Sequence, residues 1–213
     1  ALLTASAQAW PFASRNFGLS QQFNELSNPI AIQTDNDPTL ELFFGGPAYT
    51  QTSFNSSGNL TATRINLPAP DFDPYVAGVH PVTFEKGRGA AGDIDGDGDT
   101  DIIYTATLFY NGIEESDRAR VIACRNDGND NWTRLWQIQT NSSIGSAPEV
   151  KLADLDRDGD LDFIETSTAL RIRWNEGTGN YSTTTTLNSS LIRTPRIEVA
   201  DFDGNGWPDV AVF

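Results

Sequence analysis

Three stretches of this chain alternate carboxylate or amide side chains with other residues and put a glycine at the sixth position: DIDGDGDTD at 93–101, DLDRDGDLD at 154–162 and DFDGNGWPD at 201–209. Thirteen of the 29 acidic residues fall in these stretches, and like charges packed so densely repel unless a cation lies among them. Oxygen donors on alternate residues can curl round one hard cation, while the glycine permits the sharp turn this requires. The spacing therefore predicts three calcium loops. Magnesium fits less well, because it prefers a small octahedral shell and keeps its waters.

The expected side-chain ligands are Asp93, Asp95, Asp97 and Asp101 in the first loop, with the carbonyl of Asp99 turned inward. The second uses Asp154, Asp156, Asp158 and Asp162 with the carbonyl of Asp160. The third uses Asp201, Asp203, Asn205 and Asp209 with the carbonyl of Trp207. An EF-hand also begins D-x-D-x-D-G, but it needs a glutamate at position twelve and helices on both sides. Position twelve here is Tyr104, Glu165 and Val212, and the flanks (PEVKLAD, RIEVAD, DIIYTAT, LDFIETST, PDVAVF) are short runs of strand type. Each loop is expected to join two strands. A nonapeptide calcium roll is excluded, since its ligands would recur every nine residues.

Aspartates 93, 154 and 201 begin the three loops, a spacing suited to four strands per repeat. Asn/Gly turns at 126–131 (NDGNDN) and 175–180 (NEGTGN) read as hairpins. A worn fourth copy, QTDNDPTLE at 33–41, precedes the strand LELFF and the turn NSSGN. It keeps Asp35, Asp37 and Glu41, but Gln33 replaces the first aspartate and Pro38 stands where the glycine should be, with a fixed negative φ that disfavours the turn. The strand frame is expected to survive there, with calcium bound weakly or not at all.

These residues resemble the FG-GAP or VCBS repeats of integrin-type calcium-binding β-propellers. The resemblance rests on the three D-x-D-x-[DN]-G-x-x-D loops, on FGGP at 44–47 and GSAP at 145–148, and on the N-x-G turns, and it covers roughly residues 28–213. It implies an all-β fold, a β-propeller of four-stranded blades with calcium held between the first and second strand of a blade. Propellers of this family usually have seven blades, and about four are visible here. The chain is accordingly read as part of a longer propeller; the alternative is that residues 1–27, an N-terminal strand segment, supply the outer strands that close a small ring, and the same segment could instead pair with another copy by strand addition.

Composition bounds the rest. With 38% hydrophobic residues and few long apolar runs, the chain reads as a β-rich globular domain without a transmembrane segment. A net charge of −15 and the lack of a basic patch argue against nucleic acid as a partner. The single cysteine, Cys124, lies in a strand-like run and is expected to be buried and inert. ALLTASAQA at the start has the small-x-small pattern of a signal cleavage site without a basic region before it, so it reads either as a strand or as an accidental likeness.

Six N-x-S/T acceptors, at Asn55, Asn59, Asn131, Asn141, Asn180 and Asn188, fall in expected turns and connections and favour an extracellular, secreted glycoprotein. No G-x-S-x-G, H-E-x-x-H or phosphate loop occurs, the sole histidine is His80, and nothing selects a carboxylate pair, so no catalytic residues are assigned and the chain is not expected to be an enzyme.

Two long connections, 68–81 and 108–119, are expected opposite the calcium loops. They carry Phe72, Tyr75, His80, Phe109 and Tyr110, a mixture suited to sugar or protein contacts, although aromatics also pack beneath long loops. Trp10, Trp132, Trp136, Trp174 and Trp207 read as packing residues. The reading with most support is an extracellular, calcium-stabilised structural or adhesive module at the cell surface, with a surface filament as one setting, and with a protein, a glycan or other copies of itself as partner. A lectin-like propeller is the second reading, and an enzyme or accessory domain of a polysaccharide-active enzyme the third.

Overall fold

The computed structural model describes residues 30–35, 39–43, 46, 48–54, 60–71, 83–85, 88–110, 113–128, 131–140, 148–167, 169–188 and 196–213. Every element among them is a strand. The first sheet runs β1 (Ile30–Ile32), β2 (Glu41–Phe43), β3 (Ala48–Phe54), β4 (Leu60–Asn66), all antiparallel neighbours in sequence order. The second holds β5 (Thr83–Glu85), β6 (Gly89–Gly92), β7 (Asp101–Tyr110), β8 (Ile113–Asn126) and β9 (Trp132–Thr140). Here β6 lies beside the start of β7 and β5 beside its end, so the two short strands act as one interrupted edge. The third sheet, β10 (Glu149–Ala153), β11 (Asp162–Thr166), β12 (Leu170–Trp174), β13 (Thr183–Asn188), is again a meander. A pair, β14 (Ile197–Ala200) and β15 (Asp209–Val212), begins a fourth.

All four acidic segments occupy the same place, between the first and second strand of a meander, as the sequence predicts. They join β1 to β2, β6 to β7, β10 to β11 and β14 to β15. The turns at 126–131 and 175–180 also fall as expected, after β8 and after β12. Because neighbouring strands are antiparallel, these turns and the acidic loops share one end of each sheet.

The sheets stack face to face, and strand alternation does the packing, since successive side chains point to opposite faces. In β7, Ile102, Tyr104 and Ala106 pack with Ile32, Phe43 and Leu67 of the first sheet side. Between them Ile103 turns the other way, to join Val150 and Phe163 of the third sheet. In β8 the same division sends Ile122 and Cys124 one way and Val121 and Ala123 the other. In β11, Phe163 faces the second sheet and Ile164 faces Ile197 of the fourth. A strand buried on both faces reads as a continuous apolar run, which is why DIIYTA and DFIET lack polar alternation. Trp136, Phe163 and Tyr181 close the layer between the second and third sheets, with centroids 5.5 Å apart in the stacked pair and 5.4 and 4.9 Å in the two edge-on pairs.

Two expectations need correction. Residues 108–119 do not form a long connection: 108–110 complete β7 and 113–119 begin β8, with Tyr110 opposite Ile113. Pairing with β7 covers Ile113 and Glu114 and resumes at Ala119, across a shift in register between Thr107 and Phe109. Trp207 is not a packing residue but is 49% exposed, with the Arg157 guanidinium 5.1 Å from its ring centroid. Trp132 and Trp174 do pack against the cores, partly buried. Cys124 is fully buried, and burial pushes its thiol up to about 12, so it is inert as expected. Among the described residues no helix is long and apolar enough to cross a membrane. The segment 1–27 and Trp10 lie outside the described residues.

Candidate metal centre

Position one of each loop organises the turn. The Asp93 carboxylate accepts the amides of Gly96 (2.8 Å) and Gly98 (2.9 Å), and Asp201 accepts those of Gly204 (2.7 Å), Asn205 (3.0 Å) and Gly206 (2.8 Å). Asp154 accepts only Gly159, at 3.2 Å, among these turn amides. The sixth-position glycines have φ of 94°, 103° and 86°, in the left-handed region that a side chain resists. Position four is left-handed too. It is glycine in the first and third loops, but in the second it is Arg157 at φ 66°.

Position nine ties the loop shut. Asp101 accepts the Ile94 amide at 2.9 Å, Asp162 the Leu155 amide at 3.0 Å and Asp209 the Phe202 amide at 3.0 Å. In the worn copy Glu41 does the same for Thr34, at 2.9 Å. The ninth residue is thus a fixed main-chain clasp as well as one of the converging carboxylates, a role the spacing did not reveal. Asp101 and Asp162 use their second oxygen to accept the amides of Asn126 (2.8 Å) and Asn175 (2.9 Å).

Ligand atoms of positions one, three and nine converge in every acidic loop. Asp93, Asp95 and Asp101, then Asp154, Asp156 and Asp162, then Asp201, Asp203 and Asp209, each bring carboxylate oxygens within 4.8 Å of one another. Asp97 and Asp158 stand outside these groups. Their side chains, and that of Asn205, accept the amides of Asp99 (2.9 Å), Asp160 (2.9 Å) and Trp207 (2.7 Å), so position five braces the residue whose carbonyl was expected to turn inward.

Electrostatics show what such a group lacks by itself. Burial first, and then the charges of Asp95 and Asp97, push Asp101 up to about 7 against the bonds from Asn126 and Ile94. Burial likewise raises Asp95 and Asp162, with neighbouring loop aspartates adding to it. Asp95 Oδ1 and Asp154 Oδ1 are buried without a hydrogen-bond partner, an arrangement that is costly unless something fills the remaining valence. A donor set made wholly of oxygens, three carboxylates to a point and an orphaned oxygen in two of the three loops fits a hard divalent cation.

Glu165, at position twelve of the second loop, belongs elsewhere. It is fully buried, and its Oε1 accepts Arg171 at 3.3 Å and Arg173 at 3.2 Å. The worn loop differs in one contact. The Gln51 amide donates to Asp35 Oδ2 at 3.0 Å, placing a neutral donor against a carboxylate, and Asp37 lies outside the described residues.

Of the proposed ligand-face residues, Phe72, Tyr75 and His80 lie outside the described residues, and Phe109 and Tyr110 are placed only as part of β7. Asn131 and Asn180 are exposed in turns and Asn188 ends β13, whereas Asn55, Asn59 and Asn141 lie outside the described residues. A family model described as an FG-GAP-like repeat matches residues 93–165 and again 163–212, together more than half of the chain. No curated protein matches it.

Proposed function

Because the chain belongs to the FG-GAP-like repeat family, we propose that it is a calcium-stabilised β-propeller module with an extracellular structural or adhesive role. The observation that carries this is the convergence of three carboxylates in each of three equivalent loops, set at the same end of sheets that stack on one another. Radial stacking of four-stranded meanders is the construction of a propeller. Calcium, when bound, supplies positive charge at the point where the aspartates crowd. Asp93, Asp95 and Asp101, with their counterparts in the other two loops, would hold it, and the clasp and brace bonds keep their oxygens in place.

Calcium sites in extracellular modules work at the high calcium found outside cells, and repeats of this family support an extracellular setting. The exposed sequons at Asn131 and Asn180 agree with that setting. Calorimetry with calcium on the purified chain tests the reading: three ions per chain are expected, falling to two in Asp156→Ala. An unchanged heat of dilution, with no bound ion, would overturn it.

A further inference from the structure

Hydrogen bonds run from one loop to the next. The Asp162 carboxylate accepts the Asn175 amide at 2.9 Å, and Asn175 Nδ2 donates to the carbonyl of Ile94 in the neighbouring loop at 2.8 Å. The amide of Ile94 in turn donates to Asp101 at 2.9 Å, and Asp101 accepts Asn126 at 2.8 Å. Asn126 Nδ2 then donates to the Thr34 carbonyl at 2.7 Å, and the Thr34 amide closes on Glu41 at 2.9 Å. Three loops on three sheets are therefore joined by two buried asparagines.

Asn175 is held on all sides. Its second donor reaches the Leu161 carbonyl at 3.2 Å, and its oxygen accepts the amides of Gly177 (3.2 Å) and Gly179 (3.1 Å). Every donor and acceptor of the amide is used, so the side chain cannot turn without losing several buried bonds at once.

We propose that the metal sites at 93–101 and 154–162 are coupled through the side chain of Asn175, so that a cation in one raises the affinity of the other. The proposal rests on the calcium reading above. A cation on Asp162 fixes the carboxylate that orients Asn175. That asparagine fixes the Ile94 carbonyl, and the same residue's amide sets Asp101, so part of the ordering cost of the second site is met in advance. Coupling of this kind is reciprocal and is measured by the factor by which one site shifts the other.

Site-resolved NMR titration with calcium chloride tests it, reading the amides of Gly98 and Gly159, which donate to Asp93 and Asp154. Asp156→Ala should raise the half-saturating calcium at Gly98 by about fivefold or more with Asn175 intact, and by less than about twofold in an Asn175→Ala background. Asn175→Asp, which keeps the acceptor for Gly177 and Gly179 and loses the donor to Ile94, should behave as Asn175→Ala does and serves if the alanine variant does not fold. Asn126→Ala loosens the other latch and should leave the factor unchanged. The same factor with and without Asn175 overturns the coupling alone. No calcium response at either glycine in the unmutated chain overturns the calcium reading, and the coupling with it.

Discussion

At the scale of single residues, equal-looking acids have different jobs. Glu165 sits where an EF-hand would place its bidentate ligand, yet its carboxylate is buried against Arg171 and Arg173. Glu165→Gln should therefore change calcium affinity less than about twofold while lowering the melting temperature, because two guanidinium partners lose a charge within the sheet. Asp156→Ala should remove one ion from the calorimetric count, and Asp35→Ala, in the worn loop, should remove none. Loss of an ion in Glu165→Gln would place that residue in the metal centre after all. Arg157 offers a second comparison. At φ 66° it carries a left-handed backbone where the other loops have glycine, and its side chain lies over Trp207. Arg157→Gly and Arg157→Ala both lose the stacking, but only glycine relieves the backbone, so the glycine variant should be the more stable by about 1 kcal/mol. Thermal melts of the pair decide it, and an alanine variant at least as stable would mean that the backbone there is not strained.

At the scale of elements, what the chain announced and what it concealed follow from range. Nine consecutive residues hold each loop's donors, so the loops and their strand-joining role were legible from local spacing. The strands β7 and β8 were cut short because Glu114, Glu115, Ser116 and Asp117 look like a surface connection, although Asn111-Gly112 is a two-residue hairpin signal that marks their junction. Asn126 and Asn175 could be read as turn residues but not as latches, because they sit at different distances from their loops in sequence. Their partners, Thr34 and Ile94, belong to the preceding sheet. Sheet-to-sheet contact was equally hidden at Gly89, where an added Cβ would overlap the Phe43 ring and the Ile103 carbonyl. Gly89→Ala should thus separate the first two sheets and cost about 1–3 kcal/mol by overpacking, read as a shift in urea midpoint at unchanged slope. A midpoint equal to that of the unmutated chain would show that the sheets have room to part.

At the scale of the whole molecule, the formal charge of −15 is concentrated at one end of a stack of sheets. The second and third sheets are each shared between two cores, since β7 and β11 contribute side chains to both their neighbours, so loosening the loop of either disturbs packing on both sides of it. The folded loops gather carboxylates that the unfolded chain leaves dispersed, and a ligand that prefers the folded state stabilises it in proportion to the logarithm of its concentration. With calcium at about a hundredfold above its dissociation constant, each independent site would add about 2.7 kcal/mol. Excess chelator should therefore lower the melting temperature markedly, while raised sodium chloride, which only screens exposed charge, should recover a small part of the loss. Because Asp35 in the first sheet's loop meets a neutral donor, the Gln51 amide, the contact between the first two sheets should outlast the other layers when calcium is withdrawn. Hydrogen exchange at Phe43 and at Ile164, on the first and third sheets, reads this directly. Protection should fall further at Ile164, and equal melting curves with calcium and with chelator would remove the metal from the account of this fold's stability.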